Sequence, residues 1–174
     1  MKFYSGFSLK NEHQYFDVYT NHSNYAVCGF SYGAIKALRY VKEQLELKKR
    51  VDVLQLFSPA FFQTKDEKFK KIQLLAYRKN RDLYLSEFTK SCFAPYNEKR
   101  VERSNSDSIE DLQELLYYEW NLKDLSCLVK GGVKIEVYLG GKDKIIDVEP
   151  AKEFFLEVAT VTYIKNANHF LQIN

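Results

Sequence analysis

A chain of 174 residues is long enough to bury about 70% of its unfolded surface in one domain without a disulfide or metal staple. Apolar residues at 45% and aromatics at 16% exclude disorder, and no apolar run approaches the roughly 20 residues that cross a bilayer. The net charge of +3 is too small to signal a nucleic-acid binder, and three cysteines without CxxC spacing support neither a disulfide framework nor a zinc site. They read as small core hydrophobes. Met1-Lys2-Phe3-Tyr4-Ser5-Gly6 turns polar too soon for a signal peptide, so the expectation is a cytoplasmic protein with no membrane partner.

In chain order, Lys2 to Ser5 is the first strand candidate, followed by the loop Ser5-Gly6-Phe7-Ser8-Leu9. Asn11 to Tyr19 carries both helical and strand patterns and is read as a short helix. Tyr25 to Cys28 is a second apolar strand and runs into Gly29-Phe30-Ser31-Tyr32-Gly33. Beyond it Ala34, Ala37, Leu38, Val41 and Leu45 recur at helical spacing, with Lys36, Arg39, Lys42, Glu43 and Glu46 opposite. Strand, glycine-flanked serine and amphipathic helix therefore follow one another directly. Glycines two positions either side of a serine remove the side chains that clash in a sharp strand-to-helix turn.

Val51 to Phe57 is the third strand, after which the alternation breaks. The interval from about 59 to 106 holds helical stretches around Phe69, Ile72 and Ala76 and around Leu85, Phe88 and Cys92, then a polar loop. An insertion after a strand end is where a cap over a parallel sheet belongs. Ala60 to Ser104 carries eleven Lys and Arg against six Asp and Glu, whereas the rest of the chain is slightly acidic. A helix restarts at Ser108-x-x-Asp111 with the stripe Ile109, Leu112, Leu115, Leu116 and Trp120. Val133 to Leu139 is the fourth strand, Pro150 opens a helix with the stripe Ala151, Phe154, Phe155 and Val158, and Val158 to Ile164 is the fifth. Strands separated by helices predict a single α/β domain with a parallel sheet and a helical cap insertion.

A serine raised on such a turn is a nucleophile candidate, and it needs a base and a carboxylate to orient that base. Of three histidines, His13 lies in the ambiguous early segment and His22 in a polar turn, whereas His169 follows the last strand. The fourth strand ends in Gly140-Gly141-Lys142-Asp143-Lys144-Ile145-Ile146-Asp147. Asp143, directly after the glycine turn, is the favoured carboxylate; Asp147 lies near the next helix, which it is expected to cap. The amides of Phe7 and Tyr32 are the expected oxyanion donors, with Gly6 allowing close approach of the backbone and the two side chains as walls of an acyl pocket.

These residues, in the order Ser31, Asp143, His169, resemble an α/β hydrolase. Together with Phe3-Tyr4-Ser5-Gly6-Phe7, Gly29 to Leu38, Phe57-Ser58-Pro59-Ala60, Gly140-Gly141-Lys142-Asp143 and Asn168-His169-Phe170, the chain is similar to the small pimeloyl-acyl carrier protein methyl ester esterases of biotin synthesis (BioV type). The resemblance implies a minimal sheet of about five mainly parallel strands, because the two strands that precede the oxyanion strand in larger hydrolases have no counterpart here. It departs from the common pattern at Asn168, where glycine usually precedes the histidine. It further implies a serine carboxylesterase with no metal or organic cofactor, and an acidic acyl carrier protein as partner, with no role for nucleic acid. Lys68, Lys71, Arg78, Lys79 and Arg81 are the candidates for docking that carrier, and Phe61, Phe62, Tyr77 and Phe93 for covering the acyl chain. A thioesterase and a non-catalytic binding protein on the same fold remain the alternatives.

Overall fold

Periodicity places the strands, and the computed structural model, which describes residues 1–174, shows how they pair. Strand β1 (Lys2–Tyr4) is followed by a two-residue strand β2 (Leu9–Lys10) and a 3-10 turn, Glu12–Phe16. Strand β3 (Ala26–Phe30) leads into α1 (Tyr32–Glu46), and β4 (Val53–Phe57) into the paired helices α2 (Glu67–Lys79) and α3 (Arg81–Phe93). The two-residue strand β5 (Glu102–Arg103), α4 (Ile109–Tyr117), α5 (Leu122–Lys130), β6 (Lys134–Gly140), α6 (Val148–Leu156) and β7 (Thr160–Ile164) complete the chain.

The sheet has five parallel strands in the order β1-β3-β4-β6-β7. Every residue of β3 is buried, as a central strand covered on both faces requires. The register sets Tyr4 beside Gly29, Phe30 beside Phe57, Phe57 beside Tyr138 and Gly140 beside Ile164. The carboxyl ends of the strands therefore lie along one edge, where loops from distant parts of the sequence meet.

Helix α1 buries Ala34, Ala37, Leu38 and Val41 against β1, β3 and β4. Burying Leu38 and Val41 contributes about 1.5–3 kcal/mol each, and the alanines about one methyl group's worth each. Helices α5 and α6 cover β6 and the β6-β7 edge, while α2 packs on α3 and α4 as the cap. A second, antiparallel pair of two residues each joins β2 to β5, with Leu9 opposite Arg103. It ties the loop after β1 to the end of the cap and is too short for periodicity to reveal.

Three expectations need correction. The helix of the stripe read through to Trp120 ends at Tyr117, and Trp120 lies in the link to α5, where Asn121 accepts the Lys123 and Asp124 amides and starts a separate helix. Trp120 instead inserts its indole N–H toward the Ala60 carbonyl at 2.7 Å. Asp147 stands at the start of α6 but gives it no side-chain cap; its carboxylate binds Thr64 Oγ1 at 2.6 Å and Lys65 Nζ at 2.5 Å. Cys127 is exposed, unlike buried Cys28 and Cys92.

Candidate active site

Ser31 sits between the last residue of β3 and the first of α1 with φ 52° and ψ −115°. A non-glycine residue adopts that conformation only where its surroundings enforce it. The enforcement is visible on both sides. A Cβ on Gly29 would meet the Gly33 carbonyl oxygen at 2.4 Å, and a Cβ on Gly33 would meet the Tyr4 oxygen at 2.0 Å. The two glycines thus let the turn close on itself and on β1. The Ser31 amide donates to Phe57 O at 2.9 Å, and its carbonyl accepts from Ala34 and Ala60, so the backbone is anchored to two neighbours.

His169 Nε2 lies 3.0 Å from Ser31 Oγ, and its Nδ1 lies 2.6 Å from Asp143 Oδ2. A carboxylate only accepts, so Nδ1 carries the proton and Nε2 is free to accept from the serine hydroxyl. Both side chains of the histidine–aspartate pair are fully buried. The other oxygen, Asp143 Oδ1, accepts from the Ile145 amide at 2.7 Å and the Ile146 amide at 3.4 Å, which holds the carboxylate in its plane. His169 is fixed by its neighbour: Asn168 donates its side-chain amide to Phe93 O at 2.8 Å and accepts from Gln172 N at 3.0 Å. An asparagine where glycine is usual therefore clamps the histidine loop to the end of α3. The structure brings Ser31, Asp143 and His169 together and leaves Asp147 outside, paired with Lys65.

The Gly6 amide donates to Glu12 Oε1 at 2.7 Å, and the Gly6 carbonyl accepts from Leu9 N at 3.2 Å. Glu12 is buried, with Oε2 lacking a partner, and burial raises its pKa against the lowering pull of the Gly6 amide. Between these fixed points the Phe7 amide has no protein acceptor. Tyr32, as the first residue of α1, also has an N–H free of the helix ladder, at its positive end. The Phe7 ring packs on Tyr32, Tyr77 and Phe88, and the Tyr32 hydroxyl turns away to Asp111 and Glu114 of α4. The Tyr32 ring lines, with Phe7, a cleft of about 220 Å³ between the loop after β1 and the start of α4.

The cap separates the basic candidates. Lys68, Arg78 and Lys79 are exposed and make no ion pair, whereas Lys71 pairs with Glu67 at 3.5 Å. Arg81 is committed to the buried Asp107 carboxylate and so is not free for a partner. Of the aromatics, Phe61 packs on Phe154 and Phe155 in the core, Phe93 stacks on Phe170, and the Tyr77 hydroxyl donates to Asp107. Of these four, only Phe62 lines a cleft. That cleft, about 270 Å³, is bounded by Phe62, Phe69, Tyr84, Phe88, Leu115 and Ile145, with Lys144 at its side. Neither Ser31 nor His169 lines it; its link to them is the Asp143-Lys144-Ile145 turn.

Asp107 and the clamping role of Asn168 have no local signal because each acts through a contact far along the chain, whereas Glu12 reaches back only six residues to Gly6 but leaves no periodic pattern. Cys28, next to the turn, donates weakly to Gln55 and its thiol is pushed up to about 12 by burial, so it is a packing residue. No cluster of three or more His, Cys, Asp or Glu is arranged to hold a metal.

The parallel sheet, the serine turn and the cap define the α/β-hydrolase fold, and solved structures agree. An esterase from Exiguobacterium antarcticum superposes with a TM-score of 0.60 at 18% identity, over 83% of this chain and 59% of that one. A bromoperoxidase from Bacillus anthracis gives 0.62 at 16% identity, over 83% and 60%. BioG from Haemophilus influenzae gives 0.57 at 10% identity, but over 97% of this chain and 87% of that one. The chain thus spans less than two thirds of the esterase and bromoperoxidase and nearly all of BioG. No family model and no curated protein matches the sequence. No helix is long and apolar enough to cross a membrane.

Proposed function

We propose that the protein is a serine carboxylesterase that works through an acyl-enzyme. The observation that carries this reading is the unbroken hydrogen-bonded line from Ser31 Oγ through His169 to Asp143, raised on a strained turn. Ser31 Oγ attacks the ester carbonyl carbon as its proton passes to His169 Nε2, and the carbonyl oxygen gains the charge. The Phe7 and Tyr32 amides bind that oxyanion. Collapse breaks the bond to the alkoxy group, which leaves as an alcohol with the proton from His169; water, activated in the same way, then releases the acid. Asp143 keeps the imidazole in the required tautomer and stabilises the imidazolium.

The finer proposal is that the substrate is the methyl ester of pimeloyl-acyl carrier protein. It is supported by the motif resemblance, by the apolar cleft between the cap helices, and by free cations at Lys68, Arg78 and Lys79 that suit an acidic carrier. Ser31 is 2% exposed and His169 fully buried, so an ester must enter beneath the cap. Two measurements test the reading. A fluorophosphonate should label Ser31 and no other residue. Mass spectrometry of carrier loaded with the monomethyl ester should show demethylation with the acyl group still attached. Release of free acyl acid instead would make the protein a thioesterase, and absence of labelling would remove the enzyme reading altogether.

A further inference from the structure

Both expected oxyanion donors are tethered to one short acidic segment. Asp107 lies just before the Ser108 cap of α4, Asp111 is the third residue of that helix and Glu114 the sixth, so the three carboxylates share one side. The Tyr32 hydroxyl donates to Asp111 Oδ1 at 2.9 Å and also contacts the Glu114 carboxylate. Lys36 sits over the Tyr32 ring at 4.3 Å, and Arg39 neutralises Glu114. Burial and the two carboxylates push the phenol up, so it stays protonated and keeps donating. On the other half of the hole, Ser8, one residue past Phe7, donates its hydroxyl to Asp107 Oδ1 at 2.9 Å. Ser8 itself is held at φ 58°, and its carbonyl accepts from Ser104 at 2.9 Å.

Asp107 also receives the Tyr77 hydroxyl at 2.8 Å and Arg81 Nε at 3.1 Å. Its side chain is 2% exposed, and it joins the loop after β1 to α2 and α3. Burying a carboxylate is costly, and the cost is met only while all these donors are in place. A fold that needed only stability would more cheaply fill this position with an apolar side chain.

Resting on the Ser31 mechanism above, we propose that Asp107, Asp111 and Glu114 are positioning residues for the oxyanion hole. They hold the Phe7 and Tyr32 amides at one separation, and through Tyr77 and Arg81 they make the hole complete only while the cap is seated on it. Displacing a donor by even a fraction of an ångström removes stabilisation from the charge that develops in the transition state and leaves ground-state binding alone.

The test uses the full chain as Tyr32→Phe, Ser8→Ala and Asp107→Asn, assayed on a short soluble ester. A trifluoromethyl ketone reports on the hole, because its serine adduct carries an oxyanion; the free acid product reports on ground-state binding. The expected result is a kcat about tenfold lower and a ketone Ki raised by a similar factor, with KM and the product Ki within about twofold of wild type. Should Asp107→Asn fail to fold, Tyr32→Phe and Ser8→Ala decide alone, since each removes a single hydroxyl. Unchanged kcat and ketone Ki overturn the proposal, as does a loss in which KM and product Ki rise by the factor that kcat falls. A labelled, active wild type with unaltered variants removes only this proposal, whereas an unlabelled wild type removes the esterase reading and this one with it.

Discussion

Ser31 holds a backbone conformation that glycine would adopt more easily, yet the position requires a hydroxyl. That conflict is what a nucleophile on a sharp turn looks like at the scale of one residue. Replacing Ser31 by alanine should leave the fold intact and lower kcat by several orders of magnitude, with residual turnover arising from oxyanion binding. Steady-state kinetics with a thermal melt on the same sample checks both halves. Asp143→Asn should cost on the order of 10⁴-fold in kcat, since it removes the charge facing the imidazolium. Asp147→Asn should cost little activity and at most about 1 kcal/mol of stability, because it removes one partly exposed contact to Lys65 and Thr64. Equal losses in the two variants would move the orienting role to Asp147. Burial pushes the Cys28 thiol up to about 12 and raises Cys92 as well, while Cys127 is exposed. Iodoacetamide at neutral pH should therefore modify Cys127 alone in the native protein, as peptide mapping would show.

At the scale of elements, the turn between β3 and α1 is packed so tightly on β1 that Gly33 has no room for a methyl group. Gly33→Ala should push the helix start away from Tyr4 and cost about 1–3 kcal/mol, with activity falling more than stability because Ser31 and Tyr32 move with it. Denaturant melts alongside kcat would separate the two effects. The cap is attached differently, by polar contacts converging on Asp107. Burial acts to raise the Asp107 carboxyl, but hydrogen bonds from Arg81, Tyr77 and Ser8 outweigh it, and the net pKa is lowered. A lowered carboxylate contributes stability that is fully present above its unfolded value, near 4, and is lost as pH falls through the folded value. Wild type should therefore be more stable than Asp107→Asn at pH 6, and the difference should shrink as the pH falls below about 4. A gap that stays constant down to pH 3 would show that the carboxylate's charge is not what fastens the cap.

For the whole molecule, the charge surplus between Ala60 and Ser104 matters by where its free members sit. Of the five docking candidates, Arg81 is spent on Asp107 and Lys71 leans on Glu67, which leaves Lys68, Arg78 and Lys79 exposed on α2 without an ion pair. Reversing those three to glutamate should raise KM for a carrier-bound ester while hydrolysis of a small soluble ester stays near wild type. The preference for carrier substrate should also shrink with added salt, because steering is screened over about 8 Å at physiological ionic strength. Variants that keep the wild-type ratio of the two activities at low salt would reduce the basic face to solvated surface.

Local pattern carried the five strands, the serine turn and the order of Ser31, Asp143 and His169, because each depends on residues within a few positions of one another. A buried strand must be apolar, a sharp turn must have glycine at fixed offsets, and an amphipathic helix must repeat every three to four residues. The Asn11 to Tyr19 segment was legible as helical but not as a 3-10 turn, and β2 and β5 were too short to leave a period. What tertiary structure alone decided was pairing. Asp147 binds Lys65, Arg81 serves Asp107, Phe61 belongs to the core and Tyr32 points at α4, each through a partner between 26 and 93 residues away. A side chain's type states what it can bind, but which partner it meets is set by how the sheet and cap fold back on each other, and the sum of those meetings has no counterpart in any short stretch of chain.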